Sequence, residues 1–218
     1  SQFGFVPILV YILSWAGWFL TKTGWDRDHS SNPLISLWYY HTQMWQFHTN
    51  LTDKHSYQAN PWAWLILGRP TSFYYESPQC GASKCSQEVL AMGTPILWWS
   101  GAIALLVLLI LWIKARNHTL IILGIGAGLL PWFAFPERTT FSFYSIVFQP
   151  WLLLAVVALI KEINARLPSR FSRKSRKLAL AGYLAVIGGN FIYHSPIFLA
   201  ITLTYEQWRN LMWFDSWI

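Results

Sequence analysis

PILWWSGAIALLVLLILWI, residues 95–113, runs without a single Asp, Glu, Lys or Arg. As a helix it would be roughly 28 Å long, close to the thickness of bilayer hydrocarbon. Working outward from it, four more stretches lack charge: residues 1–21, 118–135, 139–160 and 178–205. Composition agrees with a membrane setting. The chain is 54% hydrophobic and only 11% charged, whereas about a quarter of a soluble domain is charged. Such a composition excludes intrinsic disorder, a collagen-like repeat and a small disulfide scaffold. The expected fold class is an all-α polytopic membrane protein with about five transmembrane helices. Residues 1–21 form the first helix, residues 22–94 a long external loop, and residues 95–218 a four-helix membrane region with an external tail.

The placement of Lys and Arg orients these spans, because short cytoplasmic loops are enriched in them. Lys114 and Arg116 follow the second span, and Lys161, Arg166, Arg170, Arg173, Lys174, Arg176 and Lys177 follow the fourth, with Glu162 as the only acid among them. The opposite side carries seven bases and eight acids. The net charge of +7 is therefore read as topological, with contact of the cluster from Arg166 to Lys177 with anionic headgroups or nucleic acid as the alternative, and no nucleic-acid partner is called for. Alternation puts Ser1 in the cytosol and Ile218 outside, in a multi-pass protein. Residues 1–21 have no basic leader and no small-residue cleavage site, which argues against a signal peptide. The chain does not begin with Met, so a processed segment or the first half of a larger protein is expected before Ser1.

Polar chemistry gathers in the external loop. Asn32-Pro33 is a good helix start, with a side-chain cap and a proline whose missing donor costs nothing. Leu34, Leu37, Trp38, Trp45 and Leu51 follow at helical spacing, which predicts an amphipathic surface helix over residues 34–51. His41 and His48 share a face but stand about 10 Å apart along the axis, too far for a simple metal site. They are expected as hydrogen-bonded interfacial histidines. No metal-ligand spacing occurs and no cofactor is implied. Cys80 and Cys85 flank a Gly-Ala-Ser-Lys turn on the oxidising side, where a local disulfide is expected and two free thiols are the alternative. Asn50-Leu51-Thr52 fits a sequon that carries little weight.

Arg69 lies in HSYQANPWAWLILGRPTSFYY, residues 55–75, at the expected bilayer boundary. Its planar fork suits a phosphate, although a snorkelling arginine among lipid headgroups explains it as well. Arg138 opens RTTFSFY, which also contains Tyr144, in the short outer loop before the fourth span. Both arginines are on one side, where they could converge on one lipid phosphate. Gly124 and Gly128 form a GxxxG, expected to bring helices close rather than to hold a nucleotide. Pro131, Pro150 and Pro196 fall in or near span ends, where bends are tolerated. Asn190, Tyr193 and His194 occupy the outer part of the last span, facing either a cavity or a packed polar cluster.

The order of these features resembles the C-terminal membrane half of the protein O-mannosyltransferases, which are lipid-donor glycosyltransferases of the GT-C type. The resemblance rests on YHTQMWQFHTNL at residues 40–51, HSYQANPWAWLILGRPTSFYY, CGASKC, MGTPILWW at residues 92–99, LPWF at residues 130–133, RTTFSFY, NFIYHSP at residues 190–196, and the closing MWFDSWI. It implies transfer of mannose from a polyprenyl phosphate to Ser or Thr of secreted polypeptides, with the lipid-linked sugar as substrate. Family members have eleven spans and an external C-terminus, so the five expected here match spans seven to eleven. The loop after the first expected span has no room for a β-trefoil insert, which resembles the bacterial branch and implies a bacterial inner membrane. Gly-Thr-Pro replaces the more usual Gly-Asn-Pro before Trp98-Trp99, and His194 stands where an aromatic is more typical.

The acidic residues that activate the acceptor hydroxyl lie, in this family, in the N-terminal half, so the resemblance puts no catalytic base in this chain. Arg69 and Arg138 are expected to contact the donor phosphate, with His55, Tyr57, Tyr144, Asn190 and His194 as pocket candidates. Expected partners are membrane lipids, the polyprenyl-phosphate sugar, acceptor polypeptides, and the N-terminal half or other membrane subunits. The alternative is a noncatalytic membrane subunit that keeps this half as a lipid-binding or assembly module. A transporter is a weaker third, lacking an inverted repeat or a charged pathway.

Overall fold

A computed structural model describes residues 4–21, 23–81 and 83–218, which fall into two compact units, residues 1–52 and 53–218. In the first unit α1 (Phe5–Ser14) and α2 (Ala16–Leu20) are separated at Trp15, so the expected span over residues 1–21 is an interrupted helix within its described part; residues 1–3 lie outside that part. α3 (Pro33–Asn50) begins as the sequence dictates, the Asn32 side chain accepting from the Leu34 amide at 3.0 Å. His41 bonds the Leu37 carbonyl through Nδ1 (2.6 Å) and the Tyr11 hydroxyl through Nε2. Both of its ring nitrogens are thus hydrogen-bonded.

The second unit is not all-α. Besides its helices it holds a small antiparallel sheet, made of β1 (Thr71–Glu76), β2 (Gln79–Cys80), β3 (Ser83–Ala91) and β4 (Leu203–Thr204), with β3 pairing with the other three. The expectation of an all-helical fold fails here for a physical reason. Residues 71–76 are rich in aromatic and β-branched side chains that favour a pleated surface, and β3 turns Cys85, Ser86, Glu88 and Leu90 inward. The Cys80–Cys85 disulfide closes the β2–β3 turn, with Cα atoms 5.8 Å apart. A bulge between Ser72 and Tyr74 shifts the β1–β3 register.

Four longer helices follow the sheet: α5 (Pro95–Ala115), α6 (Thr119–Leu129), α7 (Gln149–Arg166) and α8 (Arg173–Phe198). Among the described residues α5 is the one helix that is by itself long and apolar enough to cross a membrane, with a mean hydropathy of 2.5 and only 28% of that window buried. An apolar helix this exposed suits a lipid surround. The charge-free runs and the helices differ at their ends. α6 passes at Leu130–Ala134 into a 3-10 turn, because Pro131 cannot continue the α ladder. The run over 139–160 opens with a 3-10 turn, Ser142–Val147, before Pro150 starts α7. The run over 178–205 begins late and ends late relative to α8, which holds Pro196 in its last turn and gives way to β4 and α9 (Tyr205–Leu211).

The GxxxG of α6 packs as expected. A Cβ on Gly124 would meet the Trp151 ring at 2.2 Å and one on Gly128 would meet Phe148 at 2.9 Å, so only glycine permits α7 this close. At the opposite end of these helices His118 Nε2 lies 2.8 Å from Glu162 Oε1, and Glu162 also pairs with Arg166.

Candidate functional site

The site is built on the short helix α4 (Pro61–Trp64), where Asn60 is extended and Pro61 starts the turn. Leu67 then takes a left-handed conformation (φ 57°), and the Gly68 amide returns to the Ala63 carbonyl at 2.9 Å. Tight winding leaves several carbonyls of residues 59–67 aimed outward, and four tryptophans donate to them. Trp64 Nε1 meets Ala59 (3.0 Å), Trp98 meets Trp64 (2.8 Å), Trp99 meets Ile66 (3.0 Å), and Trp217 meets Leu67 (2.7 Å). Buried carbonyls need partners, and here indoles supply them. Trp64 and Trp217 are fully buried.

Arg69 emerges directly from this turn. Its Nε and Nη2 donate to the Ser56 carbonyl (3.2 and 3.0 Å), while Nη1 donates to the carbonyls of Ser216 (2.8 Å) and Ile218 (2.5 Å). Four of the five N–H groups of a guanidinium are thus directed at backbone oxygen, and the cation also stands 5.0 Å from the Tyr57 ring. The outer loop carrying Arg138 is tied to the same region. The Ala59 amide donates to Thr140 (2.8 Å), the Thr140 hydroxyl donates back to Ala59 (2.8 Å), and the Thr139 hydroxyl donates to Asp53. Arg138 lies over Trp132 at 5.0 Å and over Tyr144 at 5.6 Å.

Between the two arginines runs a continuous row of rings. Trp132 stacks on Tyr144 (4.7 Å), Tyr144 meets Phe141 (6.1 Å), Phe141 meets His55 (5.1 Å), and His55 meets Tyr57 (6.1 Å), over which Arg69 sits. Five of the residues singled out in the sequence, Arg69, Arg138, His55, Tyr57 and Tyr144, therefore belong to one surface feature. Trp64 touches both Trp132 and Tyr144 and also lines an apolar cavity of about 220 Å³ together with Phe73, Gly93, Ser142 and Phe143.

Asn190 and His194 are elsewhere. Asn190 Oδ1 accepts from the Ile96 amide (3.1 Å), capping the start of α5, and His194 Nδ1 bonds the Asn190 carbonyl (3.0 Å). The His194 ring is fully buried against Tyr193, Trp213 and Trp217. Of the two expectations for this pair, the packed polar cluster is the one the geometry matches. Among the described residues no group of three His, Cys, Asp or Glu is placed to hold a metal ion.

Several contributors carried no local signal. Trp132 and Phe141 look like ordinary interfacial aromatics, and the partners of Arg69 are backbone carbonyls, to which residue identity is irrelevant. Glu88 is 3% exposed on β3 and accepts from the Trp208 indole on α9 at 2.6 Å. Burial pushes its carboxyl above the ordinary range, against the bonds from Trp208 and Ser72 that favour the charged form.

Residues 34–217 match the family described as the C-terminal four TMM region of protein-O-mannosyltransferase. The chain belongs to that family. A polyprenol-phosphate-mannose–protein mannosyltransferase of Mycolicibacterium smegmatis is 30% identical over 237 residues, aligned to 99% of this chain and 46% of its own length. One of Corynebacterium glutamicum is 28% identical across 97% of this chain and 45% of its own. The chain thus spans about half the length of these relatives. Its fold is similar to that in a structure of the S. cerevisiae protein O-mannosyltransferase Pmt1-Pmt2 complex bound to the sugar donor, with a TM-score of 0.70 at 21% identity, over 87% of this chain and 28% of that one. As in that family, this is a membrane protein, and its helical bundle is the C-terminal half of a GT-C fold.

Proposed function

We propose that the protein to which this chain belongs transfers mannose from a polyprenyl-phosphate donor to Ser or Thr of secreted polypeptides, and that this half holds the donor. The match over residues 34–217 and the names of the relatives support the reaction. What carries the donor-binding role is the row of rings that has an arginine at each end and reaches the apolar cavity through Trp64. An arginine stacked on aromatics keeps its charge and presents a planar fork to phosphate oxygens.

In the transfer, the acceptor oxygen forms a bond to the anomeric carbon as the bond from that carbon to the phosphate oxygen breaks. A base outside this chain takes the hydroxyl proton, and cations offset the charge growing on the departing phosphate. Arg138 supplies that charge, supported by Arg69 through its field and its remaining N–H. His55, Tyr57 and Tyr144 form the wall between them, and the neighbouring cavity takes the first part of the prenyl chain. Asn190 and His194 hold the start of α5 and the tail in place behind the site.

Five crossings belong to this proposal, with residues 1–21 as the first, residues 22–94 external, Ser1 cytosolic and Ile218 outside in a bacterial inner membrane. The charge distribution supports it. Arg138→Ala in the intact enzyme, given polyprenyl-phosphate [14C]mannose and a Ser/Thr peptide, is expected to lower transfer at least tenfold, about 1.4 kcal/mol of transition-state stabilisation. Unchanged transfer at normal protein level refutes the role of Arg138. The engagement of Arg69 with four backbone bonds favours a second reading, in which this half is an assembly module and the donor is held elsewhere. Donor binding that survives both Arg138→Ala and Tyr144→Ala supports that reading.

A further inference from the structure

The helices α7 and α8 separate at the end where the bases collect. α8 buries no side chain before Asn190, and α7 buries none after Ala158. Two apolar cavities open here, one of about 180 Å³ between α7 and α8 and one of about 290 Å³ that is also walled by Ser100 and Ile103 of α5, and Ile160, Ile163 and Tyr183 line both. The groove they form extends along α7 from Val156 to Leu167, roughly 16 Å at the helical rise, the depth of one leaflet of bilayer hydrocarbon.

Its mouth is built from the α7–α8 loop. Arg176 closes the end of α7 by donating to the carbonyls of Asn164 (2.9 Å) and Leu167 (3.3 Å). Around it Lys161, Arg170, Arg173, Lys174 and Lys177 are all exposed, and among the described residues none of these five enters an ion pair. The one acid nearby, Glu162, is already shared by His118 and Arg166. Inside the groove the Tyr183 hydroxyl is buried and has no hydrogen-bond partner among the described residues. The Tyr183 ring lines both cavities, so the unpartnered hydroxyl belongs to the wall of the groove.

We infer that this groove is a binding site for an anionic phospholipid, with one acyl chain between α7 and α8, a glycerol ester carbonyl at the Tyr183 hydroxyl, and the phosphate among Arg170, Arg173, Lys174 and Lys177. Charge complementarity selects this occupant over a helix: an apolar helix would fill the groove but leave five cations at its mouth unanswered, whereas a lipid phosphate answers them. The Arg170 guanidinium over the Phe171 ring, 5.4 Å from its centroid, marks the level of the interface. On the topology proposed above the groove opens in the cytosolic leaflet; binding itself does not rest on that topology.

The full-length protein, purified in detergent, is mixed with phosphatidylglycerol, with phosphatidylcholine of the same chains, or with free glycerol phosphate, and retained adducts are counted by native mass spectrometry. Phosphatidylglycerol is expected to be retained at least tenfold better than phosphatidylcholine, and glycerol phosphate not at all. Arg170→Gln/Arg173→Gln/Lys174→Gln/Lys177→Gln, all on exposed side chains, should reduce phosphatidylglycerol to the phosphatidylcholine level without changing the thermal midpoint. Ala179→Trp, which fills the groove, should lower retention of both lipids. Equal retention of the two lipids, a charge variant that behaves as wild type, or tight binding of glycerol phosphate alone overturns the inference. So does a fall in thermal midpoint of Ala179→Trp with lipid retention unchanged, which would assign the groove to a helix of this protein or of a second copy.

Discussion

Replacing Arg69 by alanine should free the end of the chain. Its Nη1 carries both bonds to the tail, at Ser216 and Ile218, while Nε and Nη2 anchor the guanidinium to Ser56. A charge-assisted bond to a carbonyl contributes about 1.5–3 kcal/mol where water is excluded. Arg69 is half-buried, so the two tail bonds together count for about 1.5–2 kcal/mol, and the contact with Tyr57 adds about 0.5–1. Loss of about 2–3 kcal/mol corresponds to a roughly 30- to 150-fold rise in the open population of the tail. Hydrogen exchange of the Trp217 and Ile218 amides, which donate to Phe214 and Asp215 in the closed tail, measures that population in the full-length protein. Arg69→Lys, which can keep one bond but not the fork, should fall about midway. Transfer should drop at least tenfold with Arg69→Ala. Tail amides that exchange at the wild-type rate in Arg69→Ala would show that Trp217 alone holds the tail, and the architectural account of Arg69 would be wrong.

Three further outcomes follow from features outside that latch. Because burial raises the Glu88 carboxyl above its ordinary value, the folded state binds this proton more readily than the unfolded one, so stability declines as pH rises from the usual carboxylate range through the raised value. Glu88→Gln, which still accepts from Trp208, should abolish that decline and raise the thermal midpoint at neutral pH; a steeper pH dependence in the variant would refute the assignment. Gly124→Ala places a methyl group within 2.2 Å of the Trp151 ring and should cost about 1–3 kcal/mol by overpacking, visible as a lower midpoint in detergent, whereas no change would mean the helices are less tightly apposed. Cys80→Ser/Cys85→Ser opens a loop with a sequence separation of 5, worth about 2 kcal/mol in chain entropy. Proteolysis should then begin at the β2–β3 turn, and cleavage starting elsewhere would count against a locally acting bridge.

How much of this was legible follows from how far each determinant reaches along the chain. The Asn32 cap, the Gly124/Gly128 contact and the Cys80–Cys85 bridge are local, and their residue types state the geometry they need. Helix ends were less legible, because a charge-free run marks where a chain tolerates lipid and not where its hydrogen-bond ladder stops; Pro131 and Pro150 set the stops instead. The sheet was missed because its strands share the aromatic character of a membrane-surface loop, and because β4 pairs Thr204 with Cys85 across more than a hundred residues. For Arg69 the sequence singled out the residue, but its backbone acceptors leave no trace in residue type. Asn190 and His194 were found as polar residues in an apolar helix, yet only the packing of α8 on α5 distinguishes a cap from a cavity wall.

The ring of indoles around residues 59–67 also imposes an order on synthesis. Trp217 reaches Leu67 across 150 residues, so a ribosome adding about 5–20 residues per second finishes the donor roughly 8–30 s after the acceptor. During that interval Trp98 and Trp99 can already be in place while the Leu67 carbonyl stays open and Arg69 has no tail to grasp. The turn is therefore completed long after it is translated, and a nascent chain stalled before Met212 should be recognisable to the cell's quality-control proteases by that unfinished surface.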